Sequence, residues 1–350
     1  MAKYSPRGKE NKGVLKKASI HDVAERAGVS IKTVSRVLNR EPNVSQATRS
    51  RVMTAVEDLS YRPNLFARGL ASVRSFLIGL LYDNPSASYV AGLQFGALGR
   101  CRNEGYHLIV EVLDSKDPNL GKAVQSLVTE SVLHGVILTP PLCDHPAVLE
   151  AIRDADTRFV RIAPARHIPD APEVSIDDRQ AAHDMTAYLI GLGHRRIGFI
   201  KGHPDHGASH ARFEGYCSAI REAGISFDES LCIQGFFSYQ SGMEGAERLL
   251  SAPIRPTAIF ASNDDMAAAV LAASQRFDLR VPNDLSVAGF DDSLVSQVVW
   301  PRLTTCRQPI SEMAAAAVSM LIQRPNEGAL TARRLDHELV IRESTAPPGG

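Results

Sequence analysis

The chain of 350 residues is long enough for more than one domain with an ample buried core, and its 44% hydrophobic and 22% charged make-up is that of a globular protein. Its 39 basic and 39 acidic residues cancel only overall: residues 1–74 hold 15 Lys and Arg against 6 Asp and Glu, leaving 24 against 33 beyond, so a head of +9 is joined to a body of −9. That split is the footprint of phosphate binding by the head, while the five dispersed cysteines (Cys101, Cys143, Cys217, Cys232 and Cys306) speak against a disulfide framework and no apolar run is long enough to span a membrane.

Residues 1–18 are polar and basic with no apolar run, so no secretion leader is expected and a cytoplasmic location follows. They read as a basic arm adding nonspecific phosphate attraction, or equally as a disordered leader. Residues 19–39, SIHDVAERAGVSIKTVSRVLN, read as a helix-turn-helix. Ser19 is a good N-cap, and Ile20, Val23, Ala24 and Ala27 recur at the spacing of one buried stripe. Gly28 stands where the turn needs a residue tolerant of positive φ, and Val29 plugs the angle between the helices. Ser30 caps a second helix that turns Val34, Val37 and Leu38 inward. Its other face carries Ile31, Lys32, Ser35, Arg36 and Asn39: long donors for guanine edges and phosphates, and an apolar group for a thymine methyl. Ile31, Lys32 and Arg36 are the candidates for base edges, and Ser19, Ser30, Thr33, Asn39 and Thr48 for phosphates. On the residues alone, an ordinary helical hairpin with a solvated basic face fits the same pattern.

A third helix is expected over residues 45–59, with Val52, Val56 and Leu59 completing the small core, and Arg62-Pro63 breaks it. The segment 65–71, LFARGLA, is too short for a stable lone helix. Together GVSIKTVSRVLN, YRPN and ARGL resemble the headpiece and hinge of the LacI/GalR repressor family. The resemblance implies headpiece 19–62, a hinge and linker at 63–74 that folds only when two copies meet on near-palindromic operator DNA, and Leu70 as the wedge between base steps, which bends the duplex.

From residue 75 short apolar runs alternate with amphipathic helical patterns, as in βαβ units. Strands are expected at 76–82, 107–112, 135–138, 159–162, 196–200, 231–234, 258–261 and 285–289, with helices near 88–103 and 178–192. Two sheets facing a cleft fit the repeated rhythm better than one open sheet. GLGHRRIGFI, ARFEGY, ASNDDMAAA, VAGFDDS, LTTCRQP and VIREST extend the family likeness over nearly the whole chain. The implied fold is α/β: a small all-α helix-turn-helix headpiece, then a periplasmic-binding-protein-like core over 75–344 of two doubly wound parallel-sheet subdomains with chain crossings near 175, 304 and 336. The tail 345–350, TAPPGG, lacks core-forming residues and is expected to be disordered.

In open α/β sheets ligands bind beyond the carboxyl ends of the strands. Asp83 and Asn84, Asn263 and Asp264, and Asp291 and Asp292 stand there, and Arg212 is read as opening a helix after GHPDHGASHA. Arg212, Asn263 and Asp291 match positions that in the family contact the effector, as do Phe237 and Gln308. Tyr89 falls near the family's aromatic pair, although the NPFF-like loop is here NPSASY. A carboxylate, an amide and a guanidinium suit sugar hydroxyls, and aromatic faces suit the ring. Against these stand plain structural roles: Asp264 as a helix cap and Phe237 as core. His203, His206 and His210 crowd one loop without matching metal-ligand spacing, and Gly191-x-Gly193 lacks a third glycine, so no metal and no cofactor are expected. The reading is a homodimeric, effector-controlled transcriptional repressor, not an enzyme, with a sugar or sugar derivative as effector. A transporter-feeding sugar binder is disfavoured by the basic head, and an α/β enzyme by the missing phosphate loop.

Overall fold

The computed structural model describes residues 18–38, 44–61, 75–169, 171–323 and 332–349. The chain divides into two units, 1–74 and 75–350. Asn39, Leu70, the arm at 1–17 and the hinge lie outside the described residues.

The described residues of the first unit form three helices, α1 (Ile20–Ala27), α2 (Ile31–Leu38) and α3 (Gln46–Asp58). α1 starts in a capping box: Ser19 Oγ accepts from the Asp22 amide, and the Asp22 carboxylate accepts from the Ser19 amide at 2.7 Å. It stops at Gly28, whose φ of +62° is the left-handed conformation the turn requires, with the Val29 amide donating to the Ala24 carbonyl. Ser30 Oγ and Ser45 Oγ accept the Thr33 and Thr48 amides at the next two helix starts. Val23, Ala24, Ala27, Val34, Val37, Val52 and Ala55 are buried together, with Val29, Val56, Leu59 and Tyr61 packed around them.

The second unit repeats one pattern twice. Its first sheet is built from β1 (Leu77–Tyr82), β2 (His107–Val112), β3 (Gly135–Leu138), β4 (Arg158–Ile162) and β5 (Glu173–Ser175). Helices α4 (Ala87–Glu104), α5 (Leu120–Glu130) and α6 (Pro146–Asp154) join them. The second sheet is built from β6 (Ile197–Ile200), β7 (Cys232–Ile233), β8 (Ala258–Ala261), β9 (Ser286–Asp291) and β10 (Thr304–Arg307). Its helices are α7 (Asp178–Gly191), α8 (Gly207–Glu222), α9 (Tyr239–Leu250), α10 (Asp264–Arg276) and the short α11 (Leu294–Val298). Then α12 (Ile310–Ile322) returns to the first sheet, and β11 (Ala332–Arg334) and β12 (Glu338–Val340) each add one strand, β11 to the first sheet and β12, antiparallel, to the second.

The strand orders are β11-β5-β4-β3-β1-β2 and β12-β10-β9-β8-β6-β7. Each reverses direction beside its first strand, the arrangement that opens a crevice at the carboxyl ends. Helix pairs α4/α12 and α5/α6 clothe the first sheet, and α7/α8 and α9/α10 the second. Hence β3, β6 and β8 are apolar at every position and wholly buried. α4 and α12 approach so closely that a Cβ at Gly96 would overlap the Ser311 carbonyl.

The chain crosses between the sheets at 176–177, 308–309 and 335–337. The middle crossing comes after Arg307 rather than near 304, because Thr304 to Arg307 still pair with β9. The tail also differs from expectation. Thr345 Oγ1 bonds the Tyr188 and Thr304 hydroxyls at 3.0 and 2.8 Å, and the Ala346 carbonyl accepts from Ser286 Oγ at 3.0 Å and bonds His194 Nε2 at 2.9 Å. Hydrogen bonds order Thr345 and Ala346 where composition offers no apolar anchor.

Replacing Gly96 by Val is expected to cost about 3 kcal/mol through overpacking against a backbone that cannot retreat. A urea midpoint unchanged in the full-length variant would contradict that close approach.

Candidate functional site

The carboxyl ends of β1, β3, β4, β6, β7, β8, β9 and β10 meet at a common cavity. Asn84, Ser86 and Tyr89 follow β1, Pro140 follows β3, and Ala163 follows β4. From the second sheet come His206 and Arg212 after β6, Phe237 after β7, Asn263 after β8, Asp291 at the end of β9, and Gln308 after β10.

Arg212 is 4% exposed and held on every side. Nε and Nη2 meet Asp178 Oδ1 at 2.8 Å, Nη1 donates to the Ser262 carbonyl at 2.6 Å, and the guanidinium lies 3.5 Å from the Phe290 ring centroid. The residue sits in the second turn of α8, which begins at Gly207, and so does not open the helix. Asp178 is the partner that sequence reasoning missed; its visible signal was its place at the start of α7, just after a crossing.

Asp291 Oδ1 accepts from Gln308 Nε2 at 2.5 Å and lies 4.0 Å from Arg212 Nη1. Burial pushes its carboxyl up to about 7, against the pull of Arg212 and Gln308 and with the push of Asp265 and Asp178. Its φ of +113° is a strained backbone for a non-glycine residue, found here at the cavity wall. Next to it Asp264 is fully buried, accepts from Thr305 Oγ1 and the Ser293 amide at 2.7 Å each, and is pushed up by burial and by the Asp291 charge.

Asn263, not Asp264, caps α10: its Oδ1 accepts the Met266 amide at 3.0 Å while Nδ2 donates to the Phe237 carbonyl at 2.9 Å. That second bond pins Phe237, 6% exposed and at φ +60°, with its ring in the wall. Tyr89 is buried in the opposite wall, its phenol pushed up chiefly by burial and next by the Asp291 charge. His206 was not assigned to the effector from sequence. Burial, with Arg212 and His203 nearby, lowers it to about 4, so it is a neutral imidazole in the wall. Asp83 is not part of that wall; its carboxylate accepts the Ser115 amide at 2.9 Å. His203, His206 and His210 belong to separate roles, His206 preceding α8 and His210 bonding the Pro204 carbonyl at 2.7 Å; among the described residues no group is arranged to hold a metal ion.

In the first unit, the outward face of α2 bears Ile31, 40% exposed, with Lys32 exposed and Thr33, Ser35 and Arg36 half-buried. Ser19, Ser30 and Thr48 sit at the three helix starts, the first two as caps of the Asp22 and Thr33 amides and the third with its own amide capped by Ser45 Oγ.

Residues 19–64 match the model of the bacterial regulatory proteins of the lacI family, and residues 186–345 that of a periplasmic binding protein-like domain. The chain is 35% identical over 332 residues to catabolite control protein A of Priestia megaterium, covering 93% of this chain and 99% of that one. Among solved structures it resembles the lac repressor dimer bound to operator and the anti-inducer ONPF, with a TM-score of 0.76, 26% identity and coverage of 95% and 100%. It also resembles the complex of the transcriptional regulator CelR with cellobiose, with a TM-score of 0.71, 29% identity and coverage of 93% and 99%.

An Asp291 pKa near 7 in the fold, against 3.8 for the free side chain, means that stability falls as pH rises from about 4 to 7, because only the unfolded chain then releases the proton freely. Asp291→Asn, which keeps the Gln308 partner, is therefore expected to raise the melting temperature more at pH 8 than at pH 5. An equal gain at both, or a loss at pH 8, would count against the buried carboxyl.

Proposed function

We infer how this protein works from one premise: the chain belongs to the lacI family of bacterial regulatory proteins, and it is a transcriptional regulator, not an enzyme. In the proposed mechanism a homodimer represses by binding a near-palindromic operator in the cytoplasm, and a small effector in the cavity controls its affinity.

The observation that carries the DNA reading is the division of α2 into two faces. Val34 and Val37 are buried while Ile31 and Lys32 stand outward, on a helix fixed by caps and a glycine turn. Such a helix can enter a major groove as a rigid body. Ile31, Lys32 and Arg36 read base edges, with Ser35 on the same face; Ser19, Ser30, Thr33 and Thr48 hold phosphates, as does Asn39, and Leu70 is the wedge, both of these lying outside the described residues. The +9 of residues 1–74 supplies the salt-dependent attraction.

Dimerisation is supported by apolar side chains left in water on both subdomains of the second unit. Phe95 and Leu98 on α4 and Val112 on the edge strand β2 are 74, 43 and 66% exposed; Leu294 and Val298 on α11 and Trp300 just beyond are 71, 69 and 74% exposed. No helix among the described residues is long and apolar enough to cross a membrane, so a second protein surface is the fitting cover. Two copies related by a two-fold axis present two recognition helices to inverted half-sites.

The effector reading rests on Arg212, Asn263, Asp291, Gln308, Phe237 and Tyr89 meeting in one cavity. Among the described lining residues the single cation, Arg212, is already neutralised by Asp178, so an uncharged polyhydroxy ring is favoured over a phosphate or carboxylate. Polar groups meet its hydroxyls and the Phe237 and Tyr89 rings its C–H faces. Closing the cleft changes the separation of the two hinge segments at 63–74, and the operator equilibrium shifts with it.

Arg36→Ala should weaken operator binding by about 1–3 kcal/mol and relax base preference at matched salt, measured by anisotropy on a footprinted promoter fragment. Binding equal to the parent's would remove Arg36 from the readout. Arg212→Ala should lower the melting temperature, because buried Asp178 loses its cation, yet keep operator affinity well below that temperature and lose the thermal shift given to the parent by whichever neutral sugar, cellobiose and ribose among those screened, stabilises it. A retained shift would place the effector elsewhere.

A further inference from the structure

Two contacts bridge the cleft, one through Ser86 of the cavity wall and one away from that wall. On one side Ser86, in the β1–α4 loop of the first subdomain, donates its hydroxyl to Asp265 Oδ2 in the first turn of α10 at 2.7 Å. On the other, Gly207 at the start of α8 sits against Ala165 in the loop after β4; a Cβ on Gly207 would overlap Cα and Cβ of Ala165.

Both contacts are prepared by their own subdomains. The Asn84 carboxamide oxygen accepts the Ser86 amide at 2.9 Å, and Ser86 Oγ accepts the Tyr89 amide at 3.4 Å, which leaves its single proton for Asp265. A carboxylate in the first turn of a helix is stabilised there, and a hydrogen bond to it is stronger than one between neutral groups. Across the cleft the Ala165 amide donates to Asp144 Oδ2 at 2.7 Å, so the surface that meets Gly207 is fixed as well. Backbone against backbone cannot yield, whereas a flexible side chain at 207 would swing aside.

We propose that the Ser86–Asp265 hydrogen bond and the Gly207–Ala165 seam form a clasp that holds the two subdomains together over the cavity and sets the population of the closed core. On the reading of that cavity as the effector site, the clasp positions both walls around the effector, and the apparent effector affinity scales with the closed fraction it maintains. Asp265 is only half-buried and is readily rehydrated, so the clasp opens reversibly.

The test is hydrogen exchange on the full-length protein, with neither DNA nor sugar present, so that its outcome is independent of the effector and operator readings. Gly207→Ala should speed exchange of the Ser86, Tyr89 and Val90 amides several-fold, although residue 207 is across the cleft from that loop. Asp265→Ala should in turn speed exchange at Ala163 and Ala165. Melting temperatures within a few degrees of the parent's separate this from general unfolding, and should Gly207→Ala unfold, Asp265→Ala carries the test alone. Faster exchange only beside each substitution would overturn the clasp, since two independent contacts do not report on each other.

Discussion

The arrangement of the second unit depends on one buried guanidinium. Arg212 ties α8 to the first residue of α7 through Asp178, to the end of β8 through the Ser262 carbonyl, and to β9 through the Phe290 ring. A buried charge is costly unless paired and fully hydrogen-bonded, and here the pairing is bidentate on one oxygen, a carbonyl and an aromatic face. Because Asp178 directly follows the first crossing, the same bond that shapes the cavity also anchors the connection between the subdomains. Removing the guanidinium would leave Asp178 with an uncompensated buried charge beside Asp291, so site and scaffold are not separable at this point.

The carboxyls around it form a graded set. Asp178 has its cation, Asp264 is satisfied by a hydroxyl and an amide, and Asp291 shares Arg212 at 4.0 Å with one strong donor in Gln308. Asp291, at a strained backbone angle and with its affinity for a proton raised, is the member that the proposed effector reading leaves to exchange partners with a ligand. Its protonated form both donates and accepts, which suits a hydroxyl better than an anion.

The two units use different physics for two halves of one task. The first has a core of a few small apolar side chains and depends on capping at each helix start to hold its geometry. Its charge excess supplies attraction of long range that salt screens. The second has sheets covered on both faces, and its net negative charge keeps it from competing for DNA. Selectivity for a small molecule then comes from short, desolvated contacts that salt hardly touches.

Periodicity and caps by themselves determined the three helices of the head, the two-sheet design and most strands of the second unit: 135–138 and 258–261 coincide with β3 and β8, because strands buried on both faces are written as continuous apolar runs bounded by turns, and 107–112 coincides with the half-exposed edge strand β2. The strand-end rule and the family likeness also brought Arg212, Asn263, Asp291, Phe237, Gln308 and Tyr89 forward, and all six meet in one cavity. Only the tertiary structure decided the rest. It turned Asp83 to the Ser115 amide, made Asn263 the cap, paired Arg212 with Asp178, set a neutral His206 in the wall, joined Ser86 to Asp265 and ordered Thr345 and Ala346. These are pairings between residues from distant parts of the chain, and a hydrogen bond depends on ångström-scale placement that no local pattern encodes.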